Sequence, residues 1–162
     1  MKTVYIETSI VSHATARPSS NIQTAALQQE ARDWWTSERP KFHLVTSQLT
    51  ISEASFGDET AAAKRLALLE NIPLSPLSDE AERLAGELIA NHVMPEKAVA
   101  DALHVAIAAT SAADYLLTQN CRHIANAHEL PRVYNILGAN GYDQLLICTP
   151  NEFLGGDHTD GE

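Results

Sequence analysis

The sequence predicts an α/β fold, a three-layer sandwich with a central, mainly parallel β-sheet flanked by helices. Two observations carry that expectation. Short apolar runs rich in β-branched and aromatic residues, "VYIE", "FHLVTS", "YLLT" and "LLICT", alternate with longer segments whose apolar residues recur at helical spacing. No repeat, low-complexity tract or linker interrupts the alternation across 162 residues, about one domain's length.

Taken in order, "VYIE" at residues 4–7 is a buried strand that stops on a carboxylate, Glu7. A helix-prone stretch follows over residues 21–37 and is closed by Pro40. "FHLVTS" is a second strand leading into helical "QLTISEASF". "DETAAAKRLALLE" places Ala62, Leu66 and Leu69 on one helix face, and proline-marked "IPLSPL" suits a sheet edge. "SDEAERLAGELIA" carries acids in its first turn, where the helix dipole favours them. Pro95 suits the start of the next helix, "PEKAVADALHVAIAATSA". The strand "YLLT", a helix over residues 129–139 and the strand "LLICT" complete one domain over residues 1–154. The polar stretch 155–162 is expected to be a flexible tail.

The bulk numbers exclude several classes. The chain is 44% hydrophobic and 20% charged, as globular proteins are. It has neither an apolar run of about 20 residues nor a leader-like start, so no membrane span or signal peptide is expected. Cys121 and Cys148 have no paired or metal-like spacing, and free thiols in a reducing cytoplasm are expected. A formal net charge of −10 argues against nucleic-acid binding through a broad basic face. It suits a basic partner or a site that concentrates divalent cations.

Within the helix "AVADALHVAIAA", apolar nearly all round, Asp101 and His104 are the only strongly polar interruptions. A buried carboxylate costs several kcal/mol unless cations or hydrogen bonds compensate, roughly a domain's margin of stability. Either Asp101 is functional or it pairs with Lys97 at a half-exposed site. For His104 a structural hydrogen bond is the simpler reading. Glu53 follows the second strand, but Thr50 to Glu53 also matches the capping-box pattern. Asp114 reads as a turn or cap residue. Asn120 lies just past the carboxyl end of "YLLT", as Glu7 does for the first strand, and could also cap a helix over "CRHIANA". Cys121 and His123 are close, but no second ligand pair has the usual zinc spacing, and no phosphate loop or nucleophile elbow is present. Separated oxygen ligands suit Mg²⁺ or Mn²⁺.

Four blocks in order, "YIETSIVS", "SQLTISEASFGD", "ADALHVAIAA" and "YLLTQNCRHIANA", resemble the PIN-domain family, and within it the VapC-type toxins of bacterial toxin–antitoxin pairs. The resemblance covers nearly the whole chain. It implies Glu7, Glu53 and Asp101 as metal ligands, Asn120 at a fourth and often acidic position, and Mg²⁺ or Mn²⁺ as cofactor. It further implies endoribonuclease activity on RNA, a cognate antitoxin partner, a homodimer and a cytoplasmic location. Thr8 and Ser9 would position a water or phosphate oxygen, with Arg122 as a phosphate contact. The sequence departs from the family pattern twice, with Glu7 in place of the usual Asp and Asn120 in place of an acid. One firmly held ion is therefore expected. The alternative is a catalytically silent PIN-like binding module. A phosphohydrolase with an Asp nucleophile fits poorly, because Glu7 is not Asp.

Overall fold

The strand read from "VYIE" spans Thr3–Ile6 (β1) in a computed structural model that describes residues 1–91 and 94–154, the Lys97 side chain excepted. β2 (His43–Ser47), β3 (Leu74–Ser75), β4 (Tyr115–Leu117) and β5 (Leu146–Cys148) join it in one five-stranded sheet. The order is β3-β2-β1-β4-β5, and every pairing is parallel. The chain steps outward from β1 to β3, then returns across the sheet to pair β4 with the other side of β1. Order therefore reverses between β1 and β4, and open α/β sheets place ligands at the carboxyl ends of strands beside such a reversal.

Side chains alternate across the sheet, as a strand's two-residue period requires. Tyr5, Leu116 and Ile147 pack on one face with α5 (Asp79–Ala90), α6 (Val99–Thr110) and α7 (Leu130–Ala139). Val4, Ile6 and Leu117 pack on the other, against residues of α1 (Thr8–Thr15), α3 (Gln48–Ala54) and α4 (Glu59–Leu69). Trp34, wholly buried, anchors that second core and stacks on Phe42 with ring centroids 6.1 Å apart. Helices on both faces of one parallel sheet make the three layers, the architecture the alternation pointed to.

Several boundaries differ for local reasons. The helix expected over residues 21–37 is α2 (Ile22–Asp33), capped by the Asn21 side chain, and then widens into a π-turn over Trp34–Glu38. "CRHIANA" forms turns rather than a helix. Pro95 caps a 3₁₀ turn, Glu96–Ala98, that leads into α6. Asp114 acts as a strand-end acceptor, taking the Thr3 N–H at 2.9 Å. Cys121 and Cys148 are both free. Among the described residues no helix is long and apolar enough to cross a membrane. The tail expected over residues 155–162 lies outside the described residues.

Candidate metal centre

Glu7 follows β1 and caps α1. Its N–H donates to Leu117 O of β4 at 3.1 Å, which fixes the residue at the β1–β4 reversal. Its side-chain Oε2 accepts from the Ser9 N–H at 3.1 Å, from the Thr118 hydroxyl at 2.7 Å and from the Ser9 hydroxyl. Three donors offset much of the cost of a carboxylate that is only 5% exposed. The other oxygen, Oε1, has no hydrogen-bond partner among the described residues. Asp101, which the sequence left either functional or paired at a half-exposed site, is half-buried, and Glu7 is the buried acid.

Glu53 comes from the last turn of α3. The capping-box explanation for it fails, because the helix starts earlier: Ser47 is the N-cap and accepts the Thr50 N–H at 3.3 Å. Glu53 Oε1 instead accepts the Thr8 hydroxyl at 2.6 Å and lies 2.5 Å from His104 Nε2. His104 is wholly buried, and its Nδ1 is 2.8 Å from the Tyr5 hydroxyl. That hydroxyl shares a 2.6 Å hydrogen bond with Ser47 Oγ. A polar line therefore runs through the core from Ser47 by way of Tyr5 and His104 to Glu53. Burial opposes the charged form of Glu53, but the His104 hydrogen bond and charge and the Thr8 hydroxyl outweigh it and hold the carboxyl below its ordinary range. Burial likewise pushes the Tyr5 phenol up, so it stays a neutral hydrogen-bonding group.

Asp101 sits in the first turn of α6, one turn before His104, where the helix dipole favours an acid. Burial and the charge of Glu7 raise its pKa, with Glu53 adding to the effect and His104 and His123 opposing it. Its Oδ1 accepts from Asn120 Nδ2 at 3.3 Å. Asn120 Oδ1 accepts the His123 N–H at 3.1 Å, so the amide closes the turn after β4 and holds Asp101.

Four elements thus deliver the acids and their partners to one end of the sheet. Carboxylate oxygens of Glu7 and Glu53 and a ring nitrogen of His104 lie within 4.8 Å of one another. Both His104 nitrogens are already engaged, so the imidazole is better suited to aiming Glu53 than to ligation. The hydroxyls of Thr8 and Ser9 are also occupied by carboxylates. Arg122 is exposed and lines a neighbouring pocket with His123 and Asn126. The donor set suits a hard divalent cation: Glu7 and Glu53 each have one oxygen tied back and one left over, and crowding by Glu7 disfavours the Asp101 charge until a cation compensates. His104 makes the structural hydrogen bonds the sequence suggested, and its place three residues after Asp101 puts both on one helix face.

A family model described as PIN domain matches residues 4–130, which include Glu7, Glu53, His104, Asp101 and Asn120. No curated protein and no solved structure was found to match the chain.

Proposed function

The chain belongs to the PIN-domain family, and on that premise we propose that it is a metal-dependent endoribonuclease, the toxin of a toxin–antitoxin pair. PIN domains are generally metal-dependent nucleases, and the carboxylate cluster at the β1–β4 reversal suits that chemistry. The observation that carries the proposal is the Glu7–Glu53 arrangement, one carboxylate from the end of β1 and one from the last turn of α3, each held by hydroxyl donors on one oxygen.

In this account Glu7, Glu53 and Asp101 hold Mg²⁺ or Mn²⁺. The bound ion would supply an acidified water and neutralise charge on the scissile phosphate. The chain's own residues set the geometry. Ser9 and Thr118 fix Glu7, Thr8 and His104 fix Glu53, and Asn120 fixes Asp101. Asp101, crowded by the charges of Glu7 and Glu53, would gain most from a bound cation, which favours its charged form. The excess of acids over bases suits a basic antitoxin segment that would cover this face. A cytoplasmic homodimer completes the proposal.

A second function, a silent binding module, draws on Asn120, whose amide leaves the cluster one charge short of four. The two are separated by incubating the purified chain with single-stranded RNA and Mn²⁺, and by expressing it with and without any short reading frame just upstream. Metal-dependent cleavage and growth arrest relieved by the neighbour support the toxin. No cleavage under any divalent metal and no arrest would support the silent module.

A further inference from the structure

Thr8, Ser12 and Thr15 stand at i, i+4 and i+7 on α1 and so share one face of that helix. Thr8 touches Glu53 inside the carboxylate cluster. Ser12 and Thr15 line a pocket of about 400 Å³ between α1 and α4, together with Thr60, Arg17, Lys64 and Arg65. A stripe of hydroxyls therefore leads from the acids into a cationic pocket. The chain has only 11 Lys and Arg residues against a net charge of −10, and three of the 11 border this one pocket.

The three cations differ in what they do. Arg65 Nε donates to Ala54 O at 2.9 Å and its Nη2 to Phe56 O at 2.5 Å, which ties the pocket wall to the backbone just beyond Glu53. Arg17 and Lys64 are exposed, and neither side chain has an ion pair or hydrogen bond among the described residues. Asp58 also borders the pocket, but its Oδ2 caps α4 by accepting the Ala61 N–H. The Thr8 hydroxyl donates to Glu53 and the Thr15 hydroxyl to Val11 O at 2.8 Å, so both can only accept from a ribose hydroxyl, and Ser12 is the donor left for phosphate. Two uncommitted cations beside these groups suit phosphate oxygens and ribose hydroxyls, the groups an RNA backbone offers.

We propose that this pocket is a phosphate subsite for single-stranded RNA, holding the backbone a few nucleotides from the bond cut at the carboxylate cluster. The proposal rests on the nuclease assignment. From Thr8 to Thr15 α1 rises about 10 Å, roughly three steps of a stacked strand at ~3.4 Å each. The strand would thus run along α1, with its scissile phosphate at the acids and a flanking phosphate at Arg17 and Lys64. The subsite also explains how a strongly acidic protein could hold a polyanion: binding needs one short cationic track beside the metal centre and no broad basic face.

The test is fluorescence anisotropy of a labelled single-stranded RNA of about 12 nucleotides, read in the Asp101→Asn background so that the probe is not consumed. Adding Arg17→Ala and Lys64→Ala should raise Kd about tenfold and, by removing two phosphate contacts, reduce the slope of log K against log salt by about 1.4. Lys2→Ala, at the opposite end of the sheet, serves as the control and should change neither. An unchanged Kd and salt slope in the double variant would overturn the subsite, as would absence of RNA binding to the parent. So would an acidic peptide whose binding depends on both side chains while that of RNA does not. Cleavage by the wild-type chain is scored separately. A chain that cleaves RNA but binds it without Arg17 and Lys64 loses the subsite and keeps the nuclease assignment. A chain that never cleaves, yet needs both residues to bind, does the reverse.

Discussion

His104 Nε2 lies 2.5 Å from Glu53 Oε1, and the histidine has no exposed surface. A buried ring from α6 therefore aims a carboxylate from α3, and Tyr5 of the central strand holds the ring from behind at 2.8 Å. The position of Glu53 is consequently set by the core rather than by a mobile loop.

Tyr5→Phe tests that relay. The substitution keeps the ring's packing but removes the hydroxyl shared by Ser47 and His104. Leaving a buried polar partner unsatisfied costs about 1–3 kcal/mol, and loss of such an orienting contact typically weakens metal binding by about 10–100-fold. Thermal melts with and without Mn²⁺ should show a lower metal-free Tm and a smaller metal-induced rise. An unchanged response to Mn²⁺ would mean that Glu53 does not depend on the relay.

Asp101→Asn should stabilise the metal-free protein at neutral pH. Burial and the Glu7 charge raise the folded pKa of Asp101 above its ordinary value of 3.8. Folding thus favours its protonated form, so its stabilising contribution is complete below the unfolded pKa and disappears as pH rises through the folded value. Glu53 has the opposite sign. Its pKa is lowered from 4.5, so its contribution is present above that pH and is lost as pH falls through the folded value. Metal-free melts against pH should therefore show Asp101→Asn above wild type at pH 7, with the gap closing in acid. Mn²⁺ at about 100 Kd would add about 2.7 kcal/mol to wild type, roughly 5–10 °C in Tm, and little to the variant. A lower Tm for Asp101→Asn at pH 7 without metal would contradict the strain assigned to this carboxylate.

Glu7→Asp removes one methylene and draws the carboxylate back from Thr118, whose hydroxyl now reaches Oε2 at 2.7 Å. A hydrogen bond to a charged group contributes about 1.5–3 kcal/mol. The variant should melt lower and bind Mn²⁺ more weakly, as titration calorimetry would show. Equal or tighter binding would mean that the site tolerates the shorter acid usual in the family.

Asn120→Asp keeps the oxygen that caps the His123 N–H but replaces the amide donor to Asp101 with a negative charge. It should lower the metal-free Tm and enlarge the rise produced by Mn²⁺, because the added repulsion is relieved only by a cation. An unaltered response to the metal would place Asn120 outside the cluster's electrostatics.

Much of the fold could be read from the chain because a buried parallel sheet leaves a strong mark. "VYI" and "YLL" are apolar on both faces; Glu7 directly follows the first strand and Asn120 lies three residues past the second. Asp101 stood out because its helix is otherwise apolar. What was missed depends on contacts distant in sequence. Thr50 to Glu53 fits a capping box by spacing, yet Ser47 takes that role because β2 ends there. His104 looks like a quiet core residue until α3 and β1 bring Glu53 and Tyr5 to its two nitrogens, 51 and 99 positions away in the chain. The depth of Glu7 escapes the sequence for a related reason: three hydroxyl and amide donors let it sit almost out of water, and no periodicity reports them.

The most direct measurement is the single-turnover rate of RNA cleavage as a function of Mn²⁺, for the wild-type chain and Asp101→Asn side by side. The account predicts a wild-type rate that saturates with the metal and vanishes in chelator, and a loss of at least about 100-fold in the variant at every Mn²⁺ concentration. Cleavage that persists in chelator, or proceeds at the wild-type rate without the Asp101 carboxylate, would contradict it.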